Sequence, residues 1–261
     1  MPDNKKINWD HYIAAIWRSN RKALKPISDV DLIDFNVLVG VEKQIESVCL
    51  NTERFLAGNP ANHCLLWGAR GMGKSSLIKG LLNKYHQQGL RVIEIPKDDL
   101  VNIIDITDDI RGIAKKFIVF CDDLSFEDGD NSYRALKTSL EGSLEKPPEN
   151  VLIYATSNRR HFLPEKMSDN LLRTHIDGEI HESDTVEEKL SLADRFGLTI
   201  SFYAVSQDTY LKMVDTYFIG VNVDRERLHK QAISFATQKG IRSGRVAKQF
   251  YQDYDYLVSP E

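Results

Sequence analysis

The chain has 261 residues, of which 34 are Lys or Arg and 38 are Asp or Glu, so its formal net charge is −4 at pH 7. A chain of this length buries roughly 70–75% of its unfolded surface and folds without disulfides or a structural metal. Its composition, 42% hydrophobic and 28% charged, excludes wholesale disorder and a collagen-like chain. The acidic balance argues against a constitutively basic nucleic-acid binder, although it allows a local basic groove.

Targeting signals and cysteine usage indicate the compartment. The first ten residues lack the apolar stretch of a signal peptide, and no window approaches 18 consecutive apolar residues. The three cysteines, Cys49, Cys64 and Cys121, form no CxxC pair, so we interpret them as buried thiols in a reducing compartment. We expect a cytoplasmic protein that makes no contact with a membrane.

The first predicted element is an N-terminal helix. Five apolar residues recur there at helical spacing: Trp9, Tyr12, Ile13, Ile16 and Trp17. Four basic residues follow, where they would complement the negative end of a helix dipole: Arg18, Arg21, Lys22 and Lys25. We assign residues 1–30 to an amphipathic helix and a linker. The apolar stripe is expected to pack on the body of the protein, and docking of a partner is the alternative.

Five short apolar runs follow and predict strands: Cys64–Trp67, Val92–Ile95, Phe117–Cys121, Val151–Ala155 and Ile200–Tyr203. Four of them are hydrophobic at nearly every position, as is typical of strands covered on both faces of a parallel sheet. Helical stretches at 75–86 and 133–144 alternate with them. The pattern predicts an α/β domain over residues 31–205, with a five-stranded parallel sheet flanked by helices.

The pattern changes after residue 205. Apolar residues recur at helical spacing from 210 to 218, further helical stretches follow near 225–238 and 245–257, and no strand is evident. We therefore expect a small helical C-terminal domain over residues 206–261.

The strongest motif is Gly-Ala-Arg-Gly-Met-Gly-Lys-Ser at residues 68–75, a match to G-x-x-x-x-G-K-[ST] between a predicted strand and a predicted helix. In such a loop the backbone N–H groups and the helix N-terminus surround phosphate oxygens. Lys74 would neutralise the β and γ phosphates, and the Ser75 hydroxyl would bind Mg²⁺. The expected nucleotide contacts are Gly68, Ala69, Arg70, Gly71, Met72, Gly73, Lys74, Ser75 and Ser76.

Two carboxylates follow the third predicted strand. Asp122 and Asp123 come directly after Phe117–Cys121, and ligands of α/β sheets bind beyond the carboxyl ends of the strands. Asp122 suits coordination of Mg²⁺, whereas Asp123 would hold or deprotonate the attacking water. A pair of acids that only caps a helix is the structural alternative.

With these motifs the chain resembles an AAA+ ATPase over nearly the full length of such a module. Residues 66–71, 121–127 and 194–198 are similar to an uncharacterised bacterial group of AAA+ proteins. The resemblance implies a P-loop NTPase fold with a helical lid, ATP or ADP and Mg²⁺ as ligands, and assembly into a homo-oligomeric ring.

The resemblance also implies roles for single residues. Asn158 matches the sensor 1 asparagine, which reaches toward the γ-phosphate and the attacking water. Arg245 matches the sensor 2 arginine of the lid, with Arg242 as the alternative. Val39 and Gly40 lie in a segment that resembles the one flanking adenine, although a simple turn explains that segment equally well.

An arginine finger is implied as well. Arg195 matches this residue, which in AAA+ proteins usually completes the site of a neighbouring subunit and is worth roughly 10³–10⁵ in rate. A surface salt bridge with one of the nearby acids is the structural alternative for Arg195. The rival fingers are Arg173, Arg159 and Arg160.

One departure from the family bears on turnover. Many AAA+ enzymes carry Asp-Glu where this chain has Asp122-Asp123, and a displacement of about 1 Å can lower the rate about 100-fold. Slow hydrolysis follows, unless Glu127 or a shifted backbone compensates.

The predicted function is therefore that of an ATP-binding AAA+ protein, a slow ATPase that acts as a nucleotide-dependent switch or remodeller of an unidentified protein or nucleic-acid partner. The alternative is a nucleotide-gated binding module with negligible turnover. A small-molecule phosphotransferase is disfavoured, because such enzymes usually carry an Arg-rich cap and Arg111 is the only arginine in residues 97–116.

Overall fold

The computed structural model describes residues 7–125, 131–141, 146–158 and 191–258. Its strands are β1 (Ala14–Arg18), β2 (Ala23–Pro26), β3 (Cys64–Gly68), β4 (Leu90–Glu94), β5 (Lys116–Cys121), β6 (Val151–Ser157) and β7 (Leu198–Phe202). The α-helices bounded within these residues are α1 (Glu42–Leu56), α2 (Lys74–Tyr85), α3 (Ile103–Asp109), α4 (Asn131–Glu141), α5 (Gln207–Tyr217), α6 (Arg225–Lys239) and α7 (Gly244–Val258). The α/β class is confirmed.

One sheet with the strand order β2-β1-β4-β5-β6-β3-β7 organises the molecule. Every neighbouring pair is parallel except β1 and β2, which form an antiparallel hairpin. The five predicted strands correspond to β3, β4, β5, β6 and β7, which lie next to one another in the sheet. The predicted count of five is wrong for the sheet as a whole, because the N-terminal hairpin adds two strands beside β4.

The predicted N-terminal helix is also wrong, since Ala14–Arg18 is strand β1. Its residues Ala14, Ala15 and Ile16 pair with β4 in parallel. Ala15 and Trp17 pack in one core and Ala14 in the core on the other face of the sheet. Spacing could not separate the two structures, because a short apolar run covered on both faces satisfies the helical pattern as well as a buried strand does.

Hydrophobic cores lie on both faces of the sheet. In β5, Phe117 and Val119 belong to the core shared with α3 and α4, whereas Ile118 and Phe120 belong to the core shared with α1 and α2. Such alternation follows from the two-residue period of a strand. The carboxyl ends of the parallel strands lie together at one edge of the sheet, between the helices of its two faces. The candidate site lies at this edge.

The last three helices have a hydrophobic cluster of their own. Residues of α5, α6 and α7 make up this cluster, among them Tyr210, Leu228 and Phe250, all of them fully buried. Ser206 caps α5 by accepting a hydrogen bond from the Thr209 N–H, at 3.1 Å. The helices expected after residue 205 therefore form, and their role as a lid domain stays a prediction.

Two expectations from composition can be compared with the structure. All three cysteines are buried free thiols, as predicted. Among the described helices, none combines the length and apolar character needed to cross a bilayer.

Candidate nucleotide-binding site

The phosphate loop connects β3 to α2 and is held tightly at both sides. Gly68 lies so close to β7 that a side-chain Cβ there would stand 2.0 Å from the Phe202 carbonyl oxygen, which also accepts a hydrogen bond from the Ala69 N–H. A Cβ at Gly71 would stand 2.8 Å from Ser243 Oγ. Glycine is needed at both positions because neighbouring chain segments fill the space of a side chain.

Lys74 begins α2, and only 8% of it is exposed. Its Nζ donates hydrogen bonds to the Gly68 carbonyl at 2.7 Å, the Ala69 carbonyl at 2.9 Å and Asn158 Oδ1 at 3.2 Å. An ammonium has three N–H groups, so all of its donors have protein acceptors. The lysine is thereby held over the loop in which it would meet phosphate.

Burial and charged neighbours shift the pKa of Lys74 in opposite directions. Burial lowers the pKa of the ammonium, the carboxylates of Asp122 and Asp123 raise it, and the cations of Arg245 and Arg70 lower it, with a net result below the usual value. Because burial disfavours the charged form, a bound polyanion would restore it. The site is therefore electrostatically suited to phosphate.

The ends of β5 and β6 are joined by hydrogen bonds around Asp122. Ser75 Oγ donates to Asp122 Oδ1 at 2.7 Å, and the Thr156 hydroxyl donates to the same oxygen. Thr156 Oγ1 in turn accepts from the Asp123 N–H at 2.8 Å. Sequence reasoning did not find Thr156, and the available signal was its position at the end of β6, two residues before Asn158.

Asp123 adopts a left-handed backbone conformation, with φ of 54°. Aspartate tolerates this region better than most residues, and non-glycine residues held there occur often at functional sites. The Asn158 amide donates to Asp123 Oδ1, while its oxygen accepts from Lys74. Asn158 therefore bridges the phosphate-loop lysine and the second carboxylate.

A cavity of about 690 Å³ lies where these groups meet. The predicted residues that line it are Val39, Arg70, Gly71, Met72, Gly73, Lys74, Ser75, Ser76, Asp122, Asp123, Asn158 and Arg245. A second cavity, of about 640 Å³, lies at the amino-terminal edge of the sheet and is lined by none of the predicted residues.

Five predicted residues do not line the 690 Å³ cavity. Gly68 and Ala69 contribute carbonyls to Lys74 instead. The Gly40 N–H donates to Glu42 Oε1 at 2.8 Å. The other two are Arg195 and Arg242.

The two arginines make contacts elsewhere. Arg195 Nη1 donates to the carbonyl and hydroxyl of Ser191, and Arg242 lies 3.4 Å from Gln207 Oε1. Of the two candidates for sensor 2, Arg245 is therefore the one at the cavity. The rival fingers Arg159, Arg160 and Arg173, together with Glu127, lie outside the described residues.

The lining of the cavity combines charged and apolar side chains. Arg245 and Lys248, one turn apart on α7, add positive charge, and Lys248 was missed although its spacing from Arg245 is helical. Apolar side chains line the cavity as well, among them Leu38, Val39 and Val41, and Met213 of α5. Apolar lining beside a phosphate loop suits a planar base.

The oxygen donors in the cavity fit a magnesium ion. Ser75 Oγ and Asp122 Oδ1 are 2.7 Å apart, close to the separation of about 2.9 Å between adjacent ligands in an octahedron with Mg–O distances near 2.0–2.1 Å. Within the described residues, no group of three or more His, Cys, Asp or Glu side chains could hold a metal alone. Phosphate oxygens and water would therefore complete the coordination.

The fold is that of AAA+ P-loop ATPases, as its similarity to a solved AAA domain shows. The FIGL-1 AAA domain, solved in complex with ADP, is similar with a TM-score of 0.56 and 16% identity, over 86% of this chain and 74% of that one. A DNA replication initiation factor is similar with a TM-score of 0.53 and 15% identity, over 87% of this chain and 66% of that one.

RuvB of Thermotoga maritima, a Holliday junction branch migration motor, matches with a TM-score of 0.46 and 12% identity, over 84% of this chain and 71% of that one. The chain itself belongs to the family described as "Protein of unknown function (DUF815)", whose model matches residues 10–256. A comparison with curated proteins found no match.

Proposed function

We propose that the protein binds ATP with Mg²⁺ in the 690 Å³ cavity, hydrolyses ATP slowly and acts as a nucleotide-dependent switch or remodeller of a macromolecular partner. One observation carries this proposal: side chains from the phosphate loop, the ends of β5 and β6 and the start of α7 line the same cavity, namely Lys74, Ser75, Asp122, Asp123, Asn158 and Arg245.

The phosphate loop supplies the binding step. Lys74 exchanges its carbonyl acceptors, Gly68 and Ala69, for phosphate oxygens, while the backbone N–H groups of the loop and the N-terminus of α2 add positive potential. Ser75 and Asp122 hold the magnesium ion, which when bound neutralises charge on the transferred phosphoryl group. The apolar residues that line the cavity hold the base.

Two residues act on the attacking water. Asn158 orients it, and the Asp123 carboxylate accepts its proton as the oxygen attacks the γ-phosphate. The bond from the γ-phosphorus to the oxygen that bridges the β-phosphate breaks, and ADP leaves with that oxygen. The side chain of Asp123 is one methylene shorter than the glutamate of many AAA+ enzymes, and the hydrogen bond from Asn158 ties its Oδ1 in place. Both features favour slow turnover.

The C-terminal helices and a second subunit complete the proposal. Residues 206–261 act as a lid on the α/β domain of residues 31–205, and Arg245 couples the position of the lid to the phosphates. Arg195 acts on the site of a neighbouring subunit in a homo-oligomeric ring, where it does not have to line the cavity of its own chain. The compartment is the cytoplasm.

A nucleotide-gated binding module with negligible turnover is the second candidate. The short side chain of Asp123 favours it, because a displacement of the carboxylate by about 1 Å can lower the rate about 100-fold. In this case ATP acts only as an assembly ligand.

Titration with ATP–Mg²⁺ and measurement of phosphate release test both candidates. We expect Lys74→Ala to weaken binding by about 100-fold or more, as for loss of one partner of a buried charge pair. The matched control is Lys84→Ala in the last turn of α2, where Lys84 contacts Glu53 rather than the cavity. Absence of ATP uptake by the wild-type protein at millimolar concentration would overturn the proposal.

Turnover separates the two candidates. A slow ATPase releases phosphate faster than Lys74→Ala does, whereas the binding module does not. Asp123→Asn should keep the affinity for ATP and lose the turnover, because the amide preserves the size of the side chain but cannot accept the proton. Loss of binding in Asp123→Asn would instead indicate a structural role.

A further inference from the structure

The N-terminal hairpin ends in a concentration of positive charge. Residues 19–22 join β1 to β2, and four exposed basic residues lie in or beside this turn: Arg18, Arg21, Lys22 and Lys25. Residues 11–28 contain no Asp or Glu, although the whole chain has a net charge of −4. We call these four residues the basic hairpin end.

The register of the hairpin places Arg18 and Lys25 on the face of the sheet opposite to Trp17. Trp17 pairs with Leu24, and both pack against the same hydrophobic core. Paired residues share a face and successive residues alternate, so Arg18 and Lys25 lie on the opposite face. Arg21 and Lys22 extend the charge into the turn itself.

The contacts of the four cations decide whether their charge is compensated within the described residues. In the described part of the chain, none of them forms an ion pair or a side-chain hydrogen bond, although other surface lysines do, such as Lys79 with Asp31 and Lys230 with Glu226. Asp99, the acid that contacts this turn, accepts its hydrogen bond from Ser19. The charge is therefore available to an external anion.

Lys22 occupies a position that disfavours a lysine. Its φ is 45°, and among the described residues the only other non-glycine residue with positive φ is Asp123, in the candidate site. Glycine or asparagine would adopt this conformation at lower energy. A charged side chain at a strained turn position is an observation that favours a functional role for that charge.

We propose that the basic hairpin end binds the phosphate backbone of a nucleic-acid duplex. Arg and Lys side chains make such contacts without reading the bases. Residues 18–26 contain no aromatic residue that could stack on a base, which favours a duplex over a single strand. The hairpin also presents no exposed large apolar side chain for insertion into a membrane.

Protection of the sheet edge does not account for the charge. Lysine and proline on an edge strand prevent pairing between molecules, and Lys25 and Pro26 of β2 fit that role. Arg21 and Lys22 lie outside the strands and have no edge to protect. A phosphate-binding surface accounts for all four cations together.

The surface is separate from the proposed nucleotide site but lies at the same edge of the sheet. Strands β1 and β3 belong to the parallel part of the sheet, so Arg18 at the end of β1 and the phosphate loop at the end of β3 emerge at its carboxyl edge. Binding to the hairpin needs no nucleotide, and failure of either proposal leaves the other intact.

The test is fluorescence anisotropy with a labelled 25-base-pair duplex of mixed sequence, in duplex DNA and duplex RNA forms, without nucleotide. For four phosphate contacts on B-DNA the slope of log K against log salt is about −3.6, a roughly 150-fold loss of affinity between 50 and 200 mM salt. We expect a variant with Arg18, Arg21, Lys22 and Lys25 all changed to Ala to lose most of the affinity and of this slope.

Three controls keep the result interpretable. Changing Lys212, Arg227, Lys230 and Lys239, all exposed on α5 and α6, to Ala alters the net charge equally and should leave binding unchanged. Lys22→Gly relieves the strained turn, so it should melt no lower than the wild type and still bind more weakly. Vesicles of phosphatidylserine should not compete with the duplex.

Several outcomes would overturn the assignment. One is wild-type protein that does not bind either duplex at 50 mM salt and 10 µM protein. Another is an equal loss of affinity in the control variant with the changes on α5 and α6. This result would show that net charge alone, and not the basic hairpin end, determines binding. A third is wild-type protein that binds the vesicles but not the duplex, together with a hairpin variant that no longer binds the vesicles. This result would assign the surface to a membrane instead.

Discussion

At the scale of single residues, the candidate site is held together by side chains with several partners. Asn158 contacts both Lys74 and Asp123, and Thr156 contacts both Asp122 and the backbone of Asp123. Each change at Asn158 or Thr156 therefore alters two groups at once. The motifs in the sequence identify Lys74, Asp122 and Asp123, but the sequence does not reveal that Thr156 binds the Asp122 carboxylate and the Asp123 backbone.

Replacing Thr156 with Val tests that role. Thr156 is 1% exposed, and Val keeps its shape while leaving the Asp123 N–H without its acceptor and Asp122 Oδ1 with the hydrogen bond from Ser75 but without the one from Thr156. A buried group left unsatisfied costs about 1–3 kcal/mol of stability. We expect the free energy of unfolding, measured with a chemical denaturant, to fall by this amount. We also expect the variant to bind ATP more weakly than the wild type, and this difference should be larger in the presence of Mg²⁺ than in EDTA.

Thr156→Ser is the matched control, because it keeps the hydroxyl. It should retain the magnesium dependence measured by titration calorimetry. If Val and Ser behave alike, the hydroxyl does not orient Asp122.

At the scale of elements, the sheet is fixed partly by contacts that no pattern reveals. His63 precedes β3, and its Nδ1 accepts a hydrogen bond at 2.9 Å from the Ile153 N–H of β6. This bond requires an unprotonated nitrogen, and burial lowers the pKa of His63 to about 4. The histidine thus ties the loop before the phosphate-binding strand to the neighbouring strand.

A pH dependence of stability follows from His63. The unfolded chain binds the proton below a pKa near 6.5 and the folded chain only below about 4, so the free energy of unfolding falls as the pH drops from 6.5 to 4. The loss is up to about 3 kcal/mol, at about 1.4 kcal/mol per pH unit. Urea unfolding across this pH range measures it.

His63→Asn is the control for this dependence, since the amide oxygen can accept the same N–H but does not titrate. The slope between pH 6.5 and 4 should decrease in this variant. An unchanged slope would assign the acid sensitivity to other groups.

At the scale of the whole molecule, the proposed mechanism needs a second subunit. A site in which Arg195 acts on a neighbour can be assembled from two inactive variants. Arg195→Ala protein retains its phosphate loop and Lys74→Ala protein retains its Arg195, so roughly a quarter of the heterologous interfaces in an equal mixture are complete. We expect partial recovery of phosphate release, measured against each variant alone.

Size-exclusion chromatography with and without ATP–Mg²⁺ accompanies the mixing experiment and reports assembly. A mixture whose activity equals the sum of its components, although it assembles, would exclude Arg195 as a finger acting between subunits. Activity in a protein that stays monomeric would exclude a shared site altogether.

The central strands and the phosphate loop were determined by the sequence alone. Strands buried on both faces are apolar at almost every position, so β5 is recognisable without knowledge of its neighbours. The chemistry of the phosphate loop is equally local, since Gly68 to Ser75 are consecutive and lie between a strand and a helix. Local sequence suffices wherever the determining contacts are close along the chain.

Only the tertiary structure decided the rest. β1 forms because it can make backbone hydrogen bonds to the edge of β4. The apolar run Ala14–Trp17 by itself does not indicate that β4 will lie beside it. Likewise, Arg245 rather than Arg242 reaches the cavity because of how α7 packs against the phosphate loop. These outcomes depend on groups far apart in the sequence, and their relative positions are set by the packing of the layers.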